Sequence, residues 1–412
     1  MNESGSPDMP HKGVPDGVTI EQYQIVIKDK YPSDAFYHAQ RYDFTEEDLL
    51  NNRKVIETDG AAAPYKTALW IIPQFLYPYY GGIHTIFRFA DFLTRNYGIR
   101  NTFAVQGVLE LTNQPSMIAE AFPLLADSDF YHFTNENFNL SHIPDHDLGF
   151  CTAWQTAYPL LKFNRVKKKF YFMQDFEPYF YPAGSISGLA EATYRFGFTA
   201  ICNTVALKTS YEAYGGKAVH FTPSLDRNVF YYKSEPKPFD GVYKVLFYGR
   251  PFGIRNCFEV AVQALILLKH CLGQRVEIIS AGGGWDVKDY GLEHVMYNVA
   301  TLPYEETGEM FRFCDVGLTM MMTRHTSYIP IQLMACGCLV VTNKSEWKDW
   351  LLRDDENCML CEPAPTHIAQ KLLDALLNKP KRERLVAAAL ETAAQTPSWE
   401  DEFKRVTSEI LG

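Results

Sequence analysis

The chain has 412 residues, more than one hydrophobic core usually serves, so two domains are expected. It is 47% hydrophobic and 21% charged, with a net charge of −10; that suits a globular protein and excludes a general nucleic-acid binder, whose surface would be basic. The opening MNESGSPDMPHKGVPDG lacks the basic and apolar regions of a secretory signal, and no apolar run approaches the ~20 residues that span a bilayer, so a cytoplasmic protein is expected.

Residues 1–60 begin polar and rich in proline and glycine, then carry TIEQYQIVIKDKY and DFTEEDLLNNRK. They read as an N-terminal extension with little core of its own. Over 61–235 apolar, β-prone runs follow one another: TALWIIPQF, NTFAVQ, DFYHFT, LGFCT, KKFYFMQD, FTAICNT and KAVHFTP. Helical patterns such as IHTIFRFADFLTRNYG lie between several of them. Such alternation predicts a parallel sheet with helices on both faces. DRNVFYYKSEPKPFDGVY, with two prolines, charges and Gly241, breaks the pattern as a linker would.

The alternation restarts over 236–396 with YKVLFYG, RVEIISAGG, VMYNVA, VGLTMMM, CLVVTN and CMLCE; helices are predicted near 256–271, 304–313, 328–336 and 366–395. Two doubly wound units with a cleft between them are the expected architecture. In 397–412, Ser398 and Asp401 have capping-box spacing, and Trp399, Phe403, Val406 and Ile410 share one helical face. Cys358-x2-Cys361 has the spacing of half a zinc site, but in a strand residues three apart diverge, so no metal is expected there.

Open parallel sheets bind ligands at the carboxyl ends of their strands. Four such ends carry candidate chemistry. After VLFYG come Arg250 and Arg255, then a helix start; guanidinium forks and free N–H groups suit a nucleotide diphosphate, and Gly249 and Gly253 let the backbone approach. IISAGGGWD lacks the G-x-G-x-x-G spacing of a dinucleotide site. MMMTRHTSYIPIQLMACG brings His325, Ser327, Tyr328 and Gln332 to another strand-to-helix turn. In the first unit Gly81 and Gly82 stand at a turn, and Asp175 and Glu177 end a strand where carboxylates can orient sugar hydroxyls. The basic run Arg165, Lys167, Lys168 and Lys169 is either a solvated turn or a contact for anionic headgroups.

YGRPFGIRNCFEVAVQAL, LPYEETGEMFRFCDVGLTMMM, PIQLMACGCLVVTN, DENCMLCEP and SWEDEF stand in the order found in retaining GT-B glycosyltransferases, and the chain resembles that group over residues 65–412. QDFEPYFYPAG and RHTSYIP are similar, more narrowly, to S-layer and O-antigen rhamnosyltransferases typified by WsaF. The resemblance implies two Rossmann-like domains, N-terminal for acceptor and C-terminal for donor, with the last helix crossing back. It implies donor contacts from Gly249, Arg250, Arg255, Gly282, Leu302, His325, Ser327, Tyr328 and Gln332, acceptor contacts from Gly81, Gly82 and His84, and catalytic roles for Asp175, Glu177 and Arg250. The implied reaction moves a sugar, L-rhamnose from dTDP-L-rhamnose being favoured, to a bacterial surface polysaccharide, with retention and without metal or other cofactor. Its partners would be that donor and a glycan acceptor, lipid-linked acceptors included, at the inner face of the membrane. The family's Glu-x7-Glu is replaced by Arg324 and Gln332, which keeps two alternatives open: a catalytically silent binding module, or another sugar-nucleotide enzyme of the same fold.

Overall fold

Each of the thirteen β-prone runs forms a strand, and the strands assemble into two all-parallel sheets. The computed structural model describes residues 35–58, 64–79, 81–107, 113–134, 140–235 and 239–412. The first sheet holds β1 (Thr67–Pro73), β2 (Arg100–Gln106), β3 (Asp129–Phe133), β4 (Leu148–Cys151), β5 (Lys168–Met173), β6 (Thr199–Cys202) and β7 (Ala218–His220), in the order β3-β2-β1-β4-β5-β6-β7. The second holds β8 (Tyr243–Tyr248), β9 (Val276–Ala281), β10 (Tyr297–Asn298), β11 (Val316–Thr319), β12 (Leu339–Asn343) and β13 (Met359–Cys361), in the order β10-β9-β8-β11-β12-β13. Helices cover both faces, which is why β12 is buried throughout, β1 is buried at all but its end residues, and both read as mainly apolar runs. The strand order reverses between β1 and β4 in one sheet and between β8 and β11 in the other. Each reversal leaves a crevice at the carboxyl ends of its strands.

Three boundaries differ from the sequence reading. Within the segment expected as an extension, Ala35–Arg41 and Glu46–Glu57 are helices laid on the first sheet's layer. The Tyr42 ring is buried against Trp154 and Tyr158, and Asn52 donates to the Phe196 carbonyl at 2.6 Å. Leu225 and Phe230 pack with Leu246 and Phe311 in the second domain's core, so the chain changes domain ahead of residue 235. The run 366–395 is two helices, Pro365–Leu377 and Lys379–Ala394, because Asn378 caps the second and Pro380 cannot continue the first.

The last helix, Trp399–Leu411, is capped by Ser398, whose Oγ accepts the Asp401 N–H at 3.1 Å. Its Phe403, Val406 and Ile410 join the first domain's core, and Arg405 donates to the His220 carbonyl at the end of β7. The C-terminus therefore crosses back, as the resemblance implies.

Candidate active site

The two crevices face each other and merge into one cleft of about 780 Å³. Gly81, Gly82, His84, Asp175 and Glu177 border it from the first domain. Arg250, Arg255, Gly282, Leu302, His325, Ser327, Tyr328 and Gln332 border it from the second. Gly249 lies one residue behind this wall, where a Cβ would overlap Ser280 Oγ, so only glycine lets β8 and β9 run side by side to their ends. Gly282 has φ +103°, which an L side chain rarely adopts, and a Cβ there would strike the Tyr248 ring.

Arg250 is half-buried, donates to the Tyr248 hydroxyl at 3.2 Å and has no carboxylate partner among the described residues. Its charge therefore faces the cleft uncompensated. Arg255 is held differently. It stacks over the Phe180 ring at 4.0 Å, and its Nε lies 3.3 Å from Asp175 Oδ2 without the geometry of a hydrogen bond. The two arginines expected as a pair on one ligand thus have unequal surroundings: one is open, the other already faces an anion of the opposite domain.

Asp175 is buried and works across the cleft. Its Oδ1 accepts the Phe176 N–H at 2.8 Å and the Thr323 hydroxyl, which belongs to the other domain. Glu177 points elsewhere. One of its oxygens accepts the N–H of Trp154 and the other the Tyr171 hydroxyl at 3.0 Å. Trp154 opens the helix Trp154–Lys162, whose N-cap position is an alanine with no side-chain acceptor to offer. Glu177 supplies that cap from 23 residues downstream. Both carboxylate oxygens are taken, so Glu177 is a helix cap and not a group that orients sugar; burial raises its pKa to about 8.

Tyr328, expected at the donor, likewise has its hydroxyl taken by protein groups. Its hydroxyl lies 2.9 Å from Thr85 Oγ1 and accepts from Asn203 Nδ2 at 2.7 Å, both in the first domain. It ties the domains together, and its hydroxyl is already engaged by the first domain. His84 is also more enclosed than a surface ligand contact would be. Tyr79, Phe122 and Tyr304 surround its ring, and burial lowers its pKa to about 3.

Three residues at or beside the cleft escape the sequence reading. Gln174 has a buried Oε1 without a partner among the described residues, while its Nε2 donates to the Gly82 carbonyl at 2.6 Å. It ends the same strand as Asp175, and the strand-end rule applied one residue earlier would have found it. Thr323, the partner of Asp175, and Tyr304, which stacks on Tyr79 at 5.5 Å, depend on contacts between domains and have no local signal.

The basic run does not present a charged surface as a unit. Arg165 pairs with Asp145 and Lys167 with Asp147, at 3.1 and 2.6 Å. Lys169 is buried on the Leu161 carbonyl and Asn164, its pKa lowered to about 7 by burial. Lys168 donates to the Ile410 carbonyl at 3.2 Å, while Arg165 and Lys167 stay partly exposed in their pairs, as in a solvated turn. Cys358 and Cys361 donate to different carbonyls, those of Arg353 and Thr342, and burial pushes both thiols up to about 12.

Residues 243–373 match the family described as WsaF, C-terminal domain. Over 384 residues, 91% of this chain, the sequence is 39% identical to the O-antigen biosynthesis protein RfbC of Myxococcus xanthus, and it spans 29% of that relative's length. Anabaena Alr3699/HepE, solved in complex with UDP and glucose, is similar in structure with a TM-score of 0.63 and 14% identity, over 83% of this chain and 99% of that one. The sucrose-phosphate synthase of Thermosynechococcus elongatus gives a TM-score of 0.62 and 13% identity, over 84% of this chain and 98% of that one.

The chain has the GT-B fold. The segment matching the WsaF-type domain is the side of the GT-B cleft that carries Arg250, Arg255, His325 and Gln332. Among the described residues of this GT-B chain, no helix is long and apolar enough to cross a membrane.

Proposed function

We propose that the protein is a glycosyltransferase that moves a sugar from a nucleotide-diphosphate donor to a bacterial surface glycan. The observation that carries this reading is Arg250, a cation with no carboxylate partner among the described residues, at the carboxyl end of β8 where two Rossmann-like domains face each other. A guanidinium there would bind the donor diphosphate and offset the charge that develops on it as the glycosidic bond breaks. The relative named for O-antigen biosynthesis supports the glycan, and the solved relative that holds UDP and glucose supports the donor class.

The favoured donor is dTDP-L-rhamnose. Gln332 stands where the resembled family has a glutamate, and an amide offers one acceptor oxygen where a carboxylate offers two. A 2′-deoxyribose needs only one such acceptor. The transfer proceeds with retention: the acceptor hydroxyl attacks the anomeric carbon on the face the diphosphate leaves, and its proton passes to the leaving phosphate. Asp175, its Oδ2 turned to Arg255, orients the reacting groups. No metal takes part.

A second reading, a binding module without turnover, is favoured by one observation: Asp175 already faces Arg255 where a phosphate would compete for it. Incubation with a panel of nucleotide sugars, with and without chelator, separates the two. The transferase reading expects nucleotide release from one donor, dTDP-rhamnose foremost, unchanged by chelator. Nucleotide binding without release from any donor would establish the silent module, and release from UDP-sugars alone would remove the thymidine assignment.

A further inference from the structure

His325 is 5% exposed, and its ring borders the cleft. Its Nδ1 accepts the N–H of Ser327 at 3.1 Å. Ser327 has φ +65°, a left-handed conformation costly for a residue with a Cβ, and it sets the turn in which this amide meets the ring. A ring nitrogen that accepts carries no proton, so a neutral imidazole in this setting carries its proton on Nε2. Burial keeps the ring neutral, its pKa lowered to about 4. Nε2 is itself buried and has no hydrogen-bond partner among the described residues. A buried N–H without an acceptor is rare in folded proteins, and at the edge of a cleft it marks a ligand contact.

The surroundings indicate the charge of that ligand atom. Arg255 and Lys348 both act on the ring as cations. Asp175 is the anion that acts on it, but its oxygens already face Phe176, Thr323 and Arg255. Lys348 is itself held on the Met321 carbonyl and Asn343 Oδ1. Arg255 borders the same cleft as the ring, and an anionic oxygen brought by a ligand would satisfy Nε2 and meet that cation together.

We propose that His325, fixed as its Nε2–H tautomer by the Ser327 amide, donates a hydrogen bond to a diphosphate oxygen of the bound nucleotide. This rests on the nucleotide-donor reading above and adds to it a specific contact from a neutral donor. The proton stays on the ring: His325 orients and stabilises the diphosphate and is not the general base.

The test uses the full chain labelled with ¹⁵N-histidine, its ring nitrogens read by NMR, with the His325 signals assigned by their loss in His325→Asn. UDP and dTDP are the probes, since neither carries a sugar. The Nε2–H tautomer is expected in the free protein, and its proton signal should move downfield when either nucleotide saturates the site. His325→Asn keeps an acceptor near the Nδ1 position but loses Nε2, and should bind nucleotide roughly tenfold more weakly. His325→Gln places an amide near the Nε2 position and should recover part of that loss. An Nδ1–H tautomer, an unmoved Nε2–H signal at saturation, a shift with nucleotide sugar only, or wild-type affinity in His325→Asn would each overturn the proposal and leave the donor reading standing. Wild-type protein that binds neither nucleotide would overturn the donor reading itself.

Discussion

Asp175 and Glu177 stand two residues apart after one strand, yet their carboxylates meet different partners. For Asp175, the change to Asn keeps an oxygen for Thr323 and Phe176 and removes the charge that Arg255 faces. Turnover should fall roughly ten- to a hundredfold, because the group that orients the reacting atoms is altered. Nucleotide should bind no more weakly, since Arg255 loses a competing anion. A calorimetric titration beside steady-state rates checks both halves, and weaker binding with normal turnover would reverse the assignment. For Glu177, the change to Gln should leave turnover within about twofold, because an amide oxygen can still accept at the helix end. A pH signature accompanies it. The Glu177 pKa is raised to about 8 from its ordinary 4.5, so the folded protein holds this proton more tightly than the unfolded chain. Its contribution is complete below pH 4.5 and is lost as pH rises through 8. The melting temperature of the Gln variant relative to wild type should therefore rise between pH 5 and 8, and a constant difference would contradict a carboxyl that burial keeps protonated. None of this was legible in the sequence: a carboxylate at a strand end reads as catalytic until its partner, the Trp154 amide, is seen beneath it.

At the scale of elements much more was legible. A parallel strand buried on both faces is a short apolar run between turn residues, and KKFYFMQD and YKVLFYG read as strands for that reason. The capping box at Ser398 placed the last helix, and its apolar stripe required a partner. The helices at 35–57 were missed because their apolar residues are few and find their core only in the first domain, as Tyr42 does against Trp154. The break at Asn378 was blurred by helix-forming residues on both sides. Phe403, 1% exposed among Phe89, Phe92 and Phe221, anchors the crossing helix. Phe403→Ala should cost about 3–5 kcal/mol of stability, read as a lower unfolding midpoint in denaturant. A loss below about 1 kcal/mol would mean that the helix rests on the domain without being part of its core.

The whole molecule is held by ties between its halves that no local pattern announces: Asp175 to Thr323 and Arg255, Tyr328 to Thr85 and Asn203, and Arg324 over the Phe176 ring at 4.1 Å. The segment 323–328 belongs to the second domain by sequence, yet Thr323, Arg324 and Tyr328 make contacts with the first. Tyr328→Phe keeps the ring and removes both hydroxyl bonds. It should lower turnover about tenfold, as two modest hydrogen bonds would, with nucleotide affinity held within about twofold. Weaker nucleotide binding at unchanged turnover would return Tyr328 to the donor site alone. Every functional role proposed for the cleft depends on Arg250 holding a nucleotide diphosphate there. Calorimetric titration of wild type and Arg250→Ala with dTDP and UDP tests it most directly. Wild type should bind, dTDP more tightly, and the variant should lose about 1.5–3 kcal/mol, roughly ten- to a hundredfold, at an unchanged melting temperature. Equal affinities in the two proteins, or no binding in either, would contradict it.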